Sequence, residues 1–262
     1  MGPQTFMDRY GPVALVTGAS SDIGWAFAEE LATRGFSLVL TARRTERLSD
    51  LAAKLEGEHG AQCQIVTADL SDPAAPSKIL EATADIDIGL VVSNAGFNIK
   101  GAFETKDANA MAKMLTVNCH APMQLAHGFI PRLKFRGRGG LILTSSVEGF
   151  IGCPYSTAYS ASKALVTGLG EGLWGELHDH DIDVLTLCPG ATESEATAKL
   201  PPAQLANLQP ASEVVRLTLD NIRNGPTYVP NEHYRILFDQ LAKGPRRETL
   251  ASMAESMKNC AS

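Results

Sequence analysis

The sequence has few cysteines and no long hydrophobic run. Five cysteines are scattered along the chain, odd in number and without the spacing of a metal site: Cys63, Cys119, Cys153, Cys188 and Cys260. This pattern favours free thiols in a reducing cytoplasm over a disulfide framework, and it predicts no metal site. The N-terminus lacks the apolar core of a secretory signal, and no apolar run reaches membrane-spanning length. We therefore expect a cytoplasmic protein without a membrane span.

Basic residues are also fewer than acidic ones. The formal net charge is -6 and the sequence pI is about 5.5. The cluster of Arg43, Arg44 and Arg47 is too local to form a basic surface, so we expect no nucleic-acid partner. The 262 residues contain no internal repeat and no low-complexity linker. One α/β domain over residues 1–262 is the expected organisation.

Short apolar runs alternate with longer amphipathic stretches along most of the chain. The strand candidates are residues 13–17, 37–41, 64–67, 89–93, 140–145, 184–188 and 227–229. Helices are predicted at about residues 23–34, 44–58, 72–84, 104–135, 157–180 and 211–223. Strands separated by ten or more helical residues require right-handed crossovers. The pattern predicts a single-domain, Rossmann-type, doubly wound sheet of seven parallel strands, which binds ligands at the carboxyl ends of its strands.

Tyr159, Lys163 and Ser146 form the most informative group of residues. The spacing of four places the Tyr159 phenol and the Lys163 ammonium on one face of a helix. A neighbouring cation favours phenolate, so we expect Lys163 to lower the pKa of Tyr159 toward neutral pH. Ser146, at a strand end, is placed to hold a substrate oxygen beside the phenol. The group suits proton transfer to or from a carbonyl or alcohol oxygen.

A glycine-containing turn joins the first strand to the first long predicted helix. Gly18 and Gly24 lie in this turn, where glycines let the backbone approach a pyrophosphate placed at the helix N-terminus. An ordinary tight turn has the same glycines. Asp22 is unusual because it carries negative charge toward the phosphate position. We expect its carboxylate to cap the helix and turn away.

Five motifs in order resemble the short-chain dehydrogenase/reductase family over about residues 12–230. Residues 17–24 (Thr-Gly-Ala-Ser-Ser-Asp-Ile-Gly) resemble the family's cofactor loop, with Asp22 in place of its middle glycine. Residues 93–96 (Ser-Asn-Ala-Gly) are similar to its Asn-Asn-Ala-Gly. The other matches are Asn118, Ser146 with Tyr159 and Lys163, and Pro189-Gly190. The two departures, Asp22 and Ser93, lie outside the catalytic positions.

The resemblance implies a role for each catalytic residue. Tyr159 would be the general acid for reduction and the base for oxidation, and Ser146 would bind the substrate oxygen. Lys163 would bond the nicotinamide ribose and depress the pKa of the phenol, and Asn118 would anchor a water that relays protons. Asp69 would contact the adenine. The full expected cofactor set is Gly18, Ser20, Ser21, Asp22, Ile23, Arg43, Asp69, Leu70, Asn94, Ala95, Gly96, Tyr159, Lys163, Pro189, Gly190, Thr192 and Ser194.

The end of the second predicted strand bears on the choice of cofactor. An NAD-preferring chain has an acidic residue there for the ribose 2′-hydroxyl. Residues 40–44 read Leu-Thr-Ala-Arg-Arg, and an arginine suits a 2′-phosphate. Arg43 therefore favours NADP(H). If Arg43 and Arg44 only open a solvated helix, an NAD-dependent alcohol dehydrogenase is the alternative.

The substrate is expected to be a small, mainly apolar carbonyl compound or alcohol of steroid-like, acyl or aromatic type. Residues 194–210 occupy the position of the family's substrate lid, and residues 231–262 are expected to form a C-terminal helical extension. The expected substrate contacts are Phe97, Ser146, Glu148, Pro154, Tyr155 and Tyr159, with Phe150 nearby. Glu148 is either a recognition site for a polar substrate group or a solvated residue.

The helix predicted at residues 157–180 has two stripes of interest. Small residues recur at Ala161, Ala164, Gly168, Gly172 and Gly175. They indicate close approach either to the neighbouring long helix or to a second subunit, and family members commonly form homodimers or homotetramers. Leu165, Leu169, Leu173 and Leu177 are expected to face the sheet. A non-catalytic dinucleotide-binding sensor or scaffold is the alternative from another class, although such proteins usually lose the catalytic residues that are complete here.

Overall fold

A parallel sheet forms the centre of the protein. The computed structural model describes residues 4–195, 197–199 and 208–258. The strands are β1 (Val13–Thr17), β2 (Ser37–Ala42), β3 (Cys63–Thr67), β4 (Ile88–Ser93), β5 (Gly139–Thr144), β6 (Ile182–Leu187) and β7 (Thr227–Tyr228). All neighbouring strands are parallel, in the order β3-β2-β1-β4-β5-β6-β7. The predicted seven-stranded parallel sheet is confirmed.

Helices cover both faces of this sheet. In the described part of the chain they are α1 (Phe6–Tyr10), α2 (Asp22–Thr33), α3 (Thr45–His59), α4 (Ala75–Ala82), α5 (Ala108–Leu115), α6 (Ala121–Arg136), α7 (Thr157–Leu177), α8 (Ala211–Asp220), α9 (Glu232–Lys243) and α10 (Arg246–Lys258). Helices α2, α3 and α8 pack on one face, and α4, α6 and α7 pack on the other. Every residue of β4 and β5 is buried, as expected for strands covered on both sides. No helix among the described residues is both long and apolar enough to cross a bilayer.

The structure departs from the predicted helices in three places. Helix α1 was not predicted, because five residues are too few to show a helical period. The helix predicted at 104–135 is divided into α5 and α6 by one π-helical turn, Thr116–His120. The helix predicted at 157–180 ends at Leu177 and continues as a 3₁₀ turn. Strand ends differ from the predictions by one or two residues, as is usual.

Helix α1 is joined to the start of β6 by ion pairs and a hydrogen bond. Arg9 is buried and pairs with both Asp181, at 2.7 Å, and Asp183. The Tyr10 hydroxyl donates to the same Asp183 carboxylate at 2.6 Å. Since Asp183 belongs to β6, these contacts join the N-terminal segment to the strand that borders the catalytic helix α7.

Helix α7 packs on the sheet through a face that matches the predicted one only in part. Its buried row includes Lys163, Val166, Thr167 and Gly170. A Cβ at Gly170 would lie 1.8 Å from the Thr186 hydroxyl, so the helix backbone lies very close to β6. Of the predicted sheet-facing leucines, Leu177 is buried, and Leu169 and Leu173 are half-buried against the same core as the strands. Leu165 is exposed, so the prediction is wrong at that position. Close approach of helix to strand selects small and polar residues for the contact instead of leucine.

The predicted small-residue stripe of α7 faces outward in the described chain. A Cβ added at Gly168, Gly172 or Gly175 would meet nothing within 4 Å. The alternative that this stripe packs against the neighbouring long helix is therefore wrong. The homodimer or homotetramer stays a prediction.

The two ends of the predicted lid meet each other. Thr192 and Gln209 form a parallel bridge, and the Glu193 N–H donates to the Gln209 carbonyl at 3.0 Å. Within the lid, residues 196 and 200–207 lie outside the described residues. Helices α9 and α10 form the predicted C-terminal extension as far as Lys258.

The turn between β1 and α2 has no space for a side chain at Gly24. A Cβ there would lie 2.1 Å from the Gly18 carbonyl oxygen and 2.8 Å from the Asn94 side-chain nitrogen. Because the nearest atom belongs to the backbone, a side chain at Gly24 would move the start of α2 away from the end of β1.

We expect Gly24→Ala to lower the free energy of unfolding by about 1–3 kcal/mol, the usual cost of overpacking. The control is Gly168→Ala, at an exposed helical glycine with open space around it, which should raise it by up to ~1 kcal/mol. Urea denaturation of both variants measures the difference. An equal increase in the free energy of unfolding for both variants would contradict the close packing at Gly24.

Candidate active site

Three side chains that can take part in proton transfer lie close together at the carboxyl end of β5. Ser146 follows this strand, whereas Tyr159 and Lys163 lie in the first two turns of α7. The Lys163 Nζ lies 5.6 Å from the centre of the Tyr159 ring, and the Ser146 hydroxyl interacts with the phenol. All three side chains are thus placed around one point at which a substrate oxygen can bind.

Lys163 is fixed by the strand that it packs against. Its Nζ donates to the Thr144 carbonyl at 2.8 Å, and its own carbonyl accepts from the Ser145 hydroxyl at 2.7 Å and from Thr167 at 3.0 Å. Burial lowers the pKa of the Lys163 ammonium to about 8. Ser145 and Thr167 position the catalytic helix, a function that sequence analysis did not assign to them.

The Tyr159 phenol has an environment that keeps it protonated. Burial raises the pKa of the phenol above its ordinary value and the Glu148 carboxylate raises it further, whereas the Ser146 hydroxyl acts in the opposite direction. The predicted depression of this pKa by Lys163 is wrong for the chain by itself. Loss of hydration outweighs the neighbouring cation, since Lys163 is itself buried and donates its hydrogen bond elsewhere.

Asn118 lies in the π-helical turn between α5 and α6. Its side-chain nitrogen donates to the Phe97 carbonyl at 2.9 Å and to the Ser162 hydroxyl at 3.0 Å, and its oxygen accepts the Phe97 N–H at 3.1 Å. The residue joins the loop after β4 to α7. Single π turns within helices are frequent at functional sites.

The carboxyl ends of β1 and β4 form a backbone cradle. Gly18 has a φ of 69°, in the left-handed region that glycine adopts without strain. The buried Thr17 hydroxyl accepts the N–H groups of Asn94, at 2.9 Å, and Ala95, at 3.0 Å. A Cβ at Gly18 would lie 3.0 Å from the Ala95 Cα, and a Cβ at Gly96 would lie 3.2 Å from the Lys163 Nζ. The bare backbone and the adjacent N-terminus of α2 fit a dinucleotide pyrophosphate.

Asp22 adopts an unexpected role in this cradle. Its φ of 54° is left-handed, which aspartate tolerates better than most residues. The predicted helix cap is wrong: the N-cap is Ser21, with no side-chain cap hydrogen bond, and the Asp22 carboxylate accepts the Glu195 N–H at 2.7 Å. The carboxylate does turn away from the loop, but toward the residues that follow β6.

Arg44, rather than Arg43, contacts the cradle directly. Arg44 donates to the Ser20 hydroxyl at 3.2 Å and to the Ser20 carbonyl at 3.1 Å. Arg43 is exposed near Asp69, where its charge adds to the Ser71 hydrogen bond that lowers the pKa of Asp69. The adjacent pair of arginines was visible in the sequence, but the sequence could not show which of them turns toward the loop.

The other predicted cofactor residues border the same edge of the sheet. Leu70 and Pro189 are buried, and the Ser194 N–H donates to the Thr197 hydroxyl at 2.7 Å. Gly190 packs against α9, since a Cβ there would lie 2.1 Å from the Tyr234 ring. Sequence analysis did not identify Tyr234, which no motif marks.

The predicted substrate residues lie on two loops that are tied together. The Gly101 N–H donates to the Tyr155 carbonyl at 2.8 Å and joins the loop after β4 to the segment before α7. Phe97 is 39% exposed at the opening, whereas Phe150 and Tyr234 pack against a buried cluster that includes Cys153 and Phe238. Pro154 is half-buried. Apolar surface therefore borders the polar catalytic group.

Glu148 lies between this apolar surface and the phenol. Its Oε2 is buried and has no hydrogen-bond partner among the residues that the structure describes, and its charge acts on both Tyr159 and Cys153. The alternative of a fully solvated side chain is therefore wrong. Among the described residues, no group of three or more His, Cys, Asp or Glu side chains is arranged to hold a metal ion.

Known proteins share the sequence and the fold of this chain. The short chain dehydrogenase family profile matches residues 12–205. A 7beta-hydroxysteroid dehydrogenase of Clostridium sardiniense is 29% identical to this chain, and the matched region covers 98% of this chain and 99% of that protein.

Two solved structures are similar over almost their whole length. A short-chain dehydrogenase from Sphingobium yanoikuyae in complex with NADPH is 34% identical, with a TM-score of 0.81 over 92% of this chain and 95% of that one. The bulky-bulky ketone specific alcohol dehydrogenase of Comamonas testosteroni is 32% identical, with a TM-score of 0.79 over 93% of this chain and 94% of that one. The chain therefore belongs to the short-chain dehydrogenase/reductase family and is a nicotinamide-dependent oxidoreductase of CH–OH and carbonyl groups.

Proposed function

We propose that the protein is an NADP(H)-dependent reductase of bulky, mainly apolar ketones and a dehydrogenase of the corresponding alcohols. The observation that carries this proposal is the Tyr159 phenol held beside the Ser146 hydroxyl and the buried Lys163. Apolar side chains around this group support a substrate of steroid-like, acyl or aromatic type. Two relatives support it by name, one a hydroxysteroid dehydrogenase and the other specific for bulky-bulky ketones.

Proton transfer is the task of the side chains in this proposal. Ser146 and Tyr159 donate hydrogen bonds to the carbonyl oxygen, which polarises the carbonyl carbon. The nicotinamide ring supplies the hydride when it is bound. Tyr159 then gives its proton to the oxygen, and the Lys163 ammonium stabilises the phenolate that remains. In oxidation Tyr159 accepts the proton in the reverse sense.

The cofactor would lie along the edge formed by β1, β4 and β6. Gly18 and the start of α2 would hold the pyrophosphate, and Asn94 to Gly96 would border the ring that carries the hydride. Asp69 would contact the adenine. Arg43 and Arg44 are the cations available to a 2′-phosphate, and the end of β2 offers no carboxylate for a free 2′-hydroxyl.

Glu148 is proposed to bind a hydrogen-bond donor of the substrate. A buried carboxylate oxygen without a partner is costly, because it has lost water and gained no hydrogen bond. A hydroxyl group of the substrate near the reacting carbon would satisfy it. The same carboxylate keeps Tyr159 in the acid form that reduction requires.

The first test is Tyr159→Phe, which removes the proton donor and keeps the ring. Turnover of a bulky ketone should fall at least ~10²-fold, the usual contribution of a placed acid or base, while NADPH binding stays nearly unchanged. Tyr228→Phe, at a tyrosine on β7, is the control and should keep nearly full activity. Retention of more than half the activity by Tyr159→Phe would show that another group is the acid.

The second test concerns Glu148 and pH. Because the Glu148 charge raises the pKa of Tyr159, Glu148→Gln should lower that pKa and move the rise of kcat/KM for alcohol oxidation to lower pH. KM should increase for ketones that carry a hydroxyl group near the carbonyl, and change less for those without one. Glu176→Gln, at an exposed position on α7, should move neither quantity. An unshifted pH profile would show that the Glu148 charge does not act on Tyr159 during the reaction.

The third test compares cofactors by direct titration of fluorescence. Charge-assisted hydrogen bonds contribute roughly 1.5–3 kcal/mol, so NADPH should bind about one to two decades more tightly than NADH. The double change Ala42→Asp with Arg43→Leu should reverse the preference. Similar dissociation constants in the unmodified protein would support the NAD-dependent alternative.

A further inference from the structure

The carboxylate of Glu195 forms ion pairs with two of the three arginines near the end of β2. Glu195, which follows β6, accepts from Arg44 at 2.9 Å through one oxygen and pairs with Arg47 through the other. Its backbone N–H is held by the Asp22 carboxylate at 2.7 Å. Glu195 is 173 residues from Asp22 in sequence, so this contact joins the predicted cofactor loop to the start of the predicted lid.

The arginine held by Glu195 is the one that touches the cradle. Arg44 binds the hydroxyl and the carbonyl of Ser20, and it reaches Glu195 with its remaining terminal nitrogen. In a doubly wound sheet, the adenosine ribose of a bound dinucleotide lies beside the end of the second strand. A 2′-phosphate on that ribose would meet guanidinium groups that already have an anionic partner.

We propose that Glu195 is a cofactor-specificity residue that competes with the 2′-phosphate for Arg44 and Arg47. This inference rests on the proposed NADP(H) function. Binding of NADP(H) exchanges the Glu195 carboxylate for the phosphate, whereas binding of NAD(H) leaves the ion pairs intact. The chain therefore discriminates less strongly in favour of NADP(H) than its arginines alone would.

The charges and the exposure of the residues support such an exchange. The phosphate carries almost two negative charges and the carboxylate carries one, so the phosphate is the stronger partner. The hydrogen bond from Arg44, together with the charges of Arg44 and Arg47, holds the pKa of Glu195 below its ordinary value, and the competitor is ionised at neutral pH. Arg44, Arg47 and Glu195 are each more than 40% exposed, and ion pairs of this kind are weak enough to exchange.

Asp22 acts as the positioning residue of this arrangement. It binds the backbone of Glu195 and leaves the side chain free to rotate away from the arginines while the chain stays in place. A glycine at this position, as in the family pattern, would provide no such tether. The departure of residue 22 from that pattern thus has a structural partner at residue 195.

The experiment compares Glu195→Gln with Glu193→Gln, an exposed carboxylate two residues earlier. NADPH and NADH are titrated separately at low salt, with nucleotide fluorescence as the readout. Glu195→Gln should tighten NADPH binding about two- to fivefold, the range expected for an exposed ion pair, and should leave NADH within error. The gain should shrink as salt screens the charges, and Glu193→Gln should change neither constant.

Each other result has a definite meaning. Weaker NADPH binding in Glu195→Gln would show that Glu195 holds the arginines in place for the phosphate, and it would overturn the proposal. Unchanged NADPH binding would overturn it as well, because the carboxylate would then not compete with the phosphate. Equal tightening of both cofactors, or an equal effect of Glu193→Gln, would overturn it by indicating general charge repulsion. Failure of the proposed function is distinct, because the unmodified protein would then bind neither nucleotide or bind both equally well.

Discussion

The packing of α7 against the carboxyl end of β5 is the constraint on which the site depends. Ser145, at the end of the strand, donates to the Lys163 carbonyl, while the Lys163 side chain returns to the carbonyl of Thr144. These two hydrogen bonds fix the position of α7 along its axis and its rotation about that axis. A helix advances about 100° per residue, so a slip of one position would turn Tyr159 away from Ser146. Catalytic geometry and fold stability are therefore set by the same contacts.

Much of the fold could be predicted because its signals are local. The strands are short apolar runs separated by helical lengths, which is enough to predict a parallel sheet. The glycine turn and the Tyr159–Lys163 spacing mark the site in the same way. The closest contact of α7 with the sheet was not predictable, because leucines suggest a buried face, whereas Gly170 lies against Thr186 and Leu165 is exposed.

The errors at the site have a common physical cause. Asp22 was expected to cap its own helix, but its partner is Glu195, and no local pattern joins residues so far apart. The pKa of Tyr159 was predicted from its helical neighbour Lys163, whereas burial and the Glu148 carboxylate dominate it. Desolvation depends on all the residues that surround a side chain. The neighbouring sequence therefore does not determine whether the pKa of that side chain rises or falls.

The contact between Gly190 and Tyr234 joins the C-terminal helices to the segment that follows β6. The residues that handle the proton lie on the segment after β5 and on α7, and α7 packs into the core on one face of the sheet. The wall on the other side is formed by α9, which is attached to that core at its start and packs through Tyr234 and Phe238. Because Phe238 shares a buried cluster with Val147, the residue after Ser146, a change in the C-terminal helices would alter the opening and the position of that serine together.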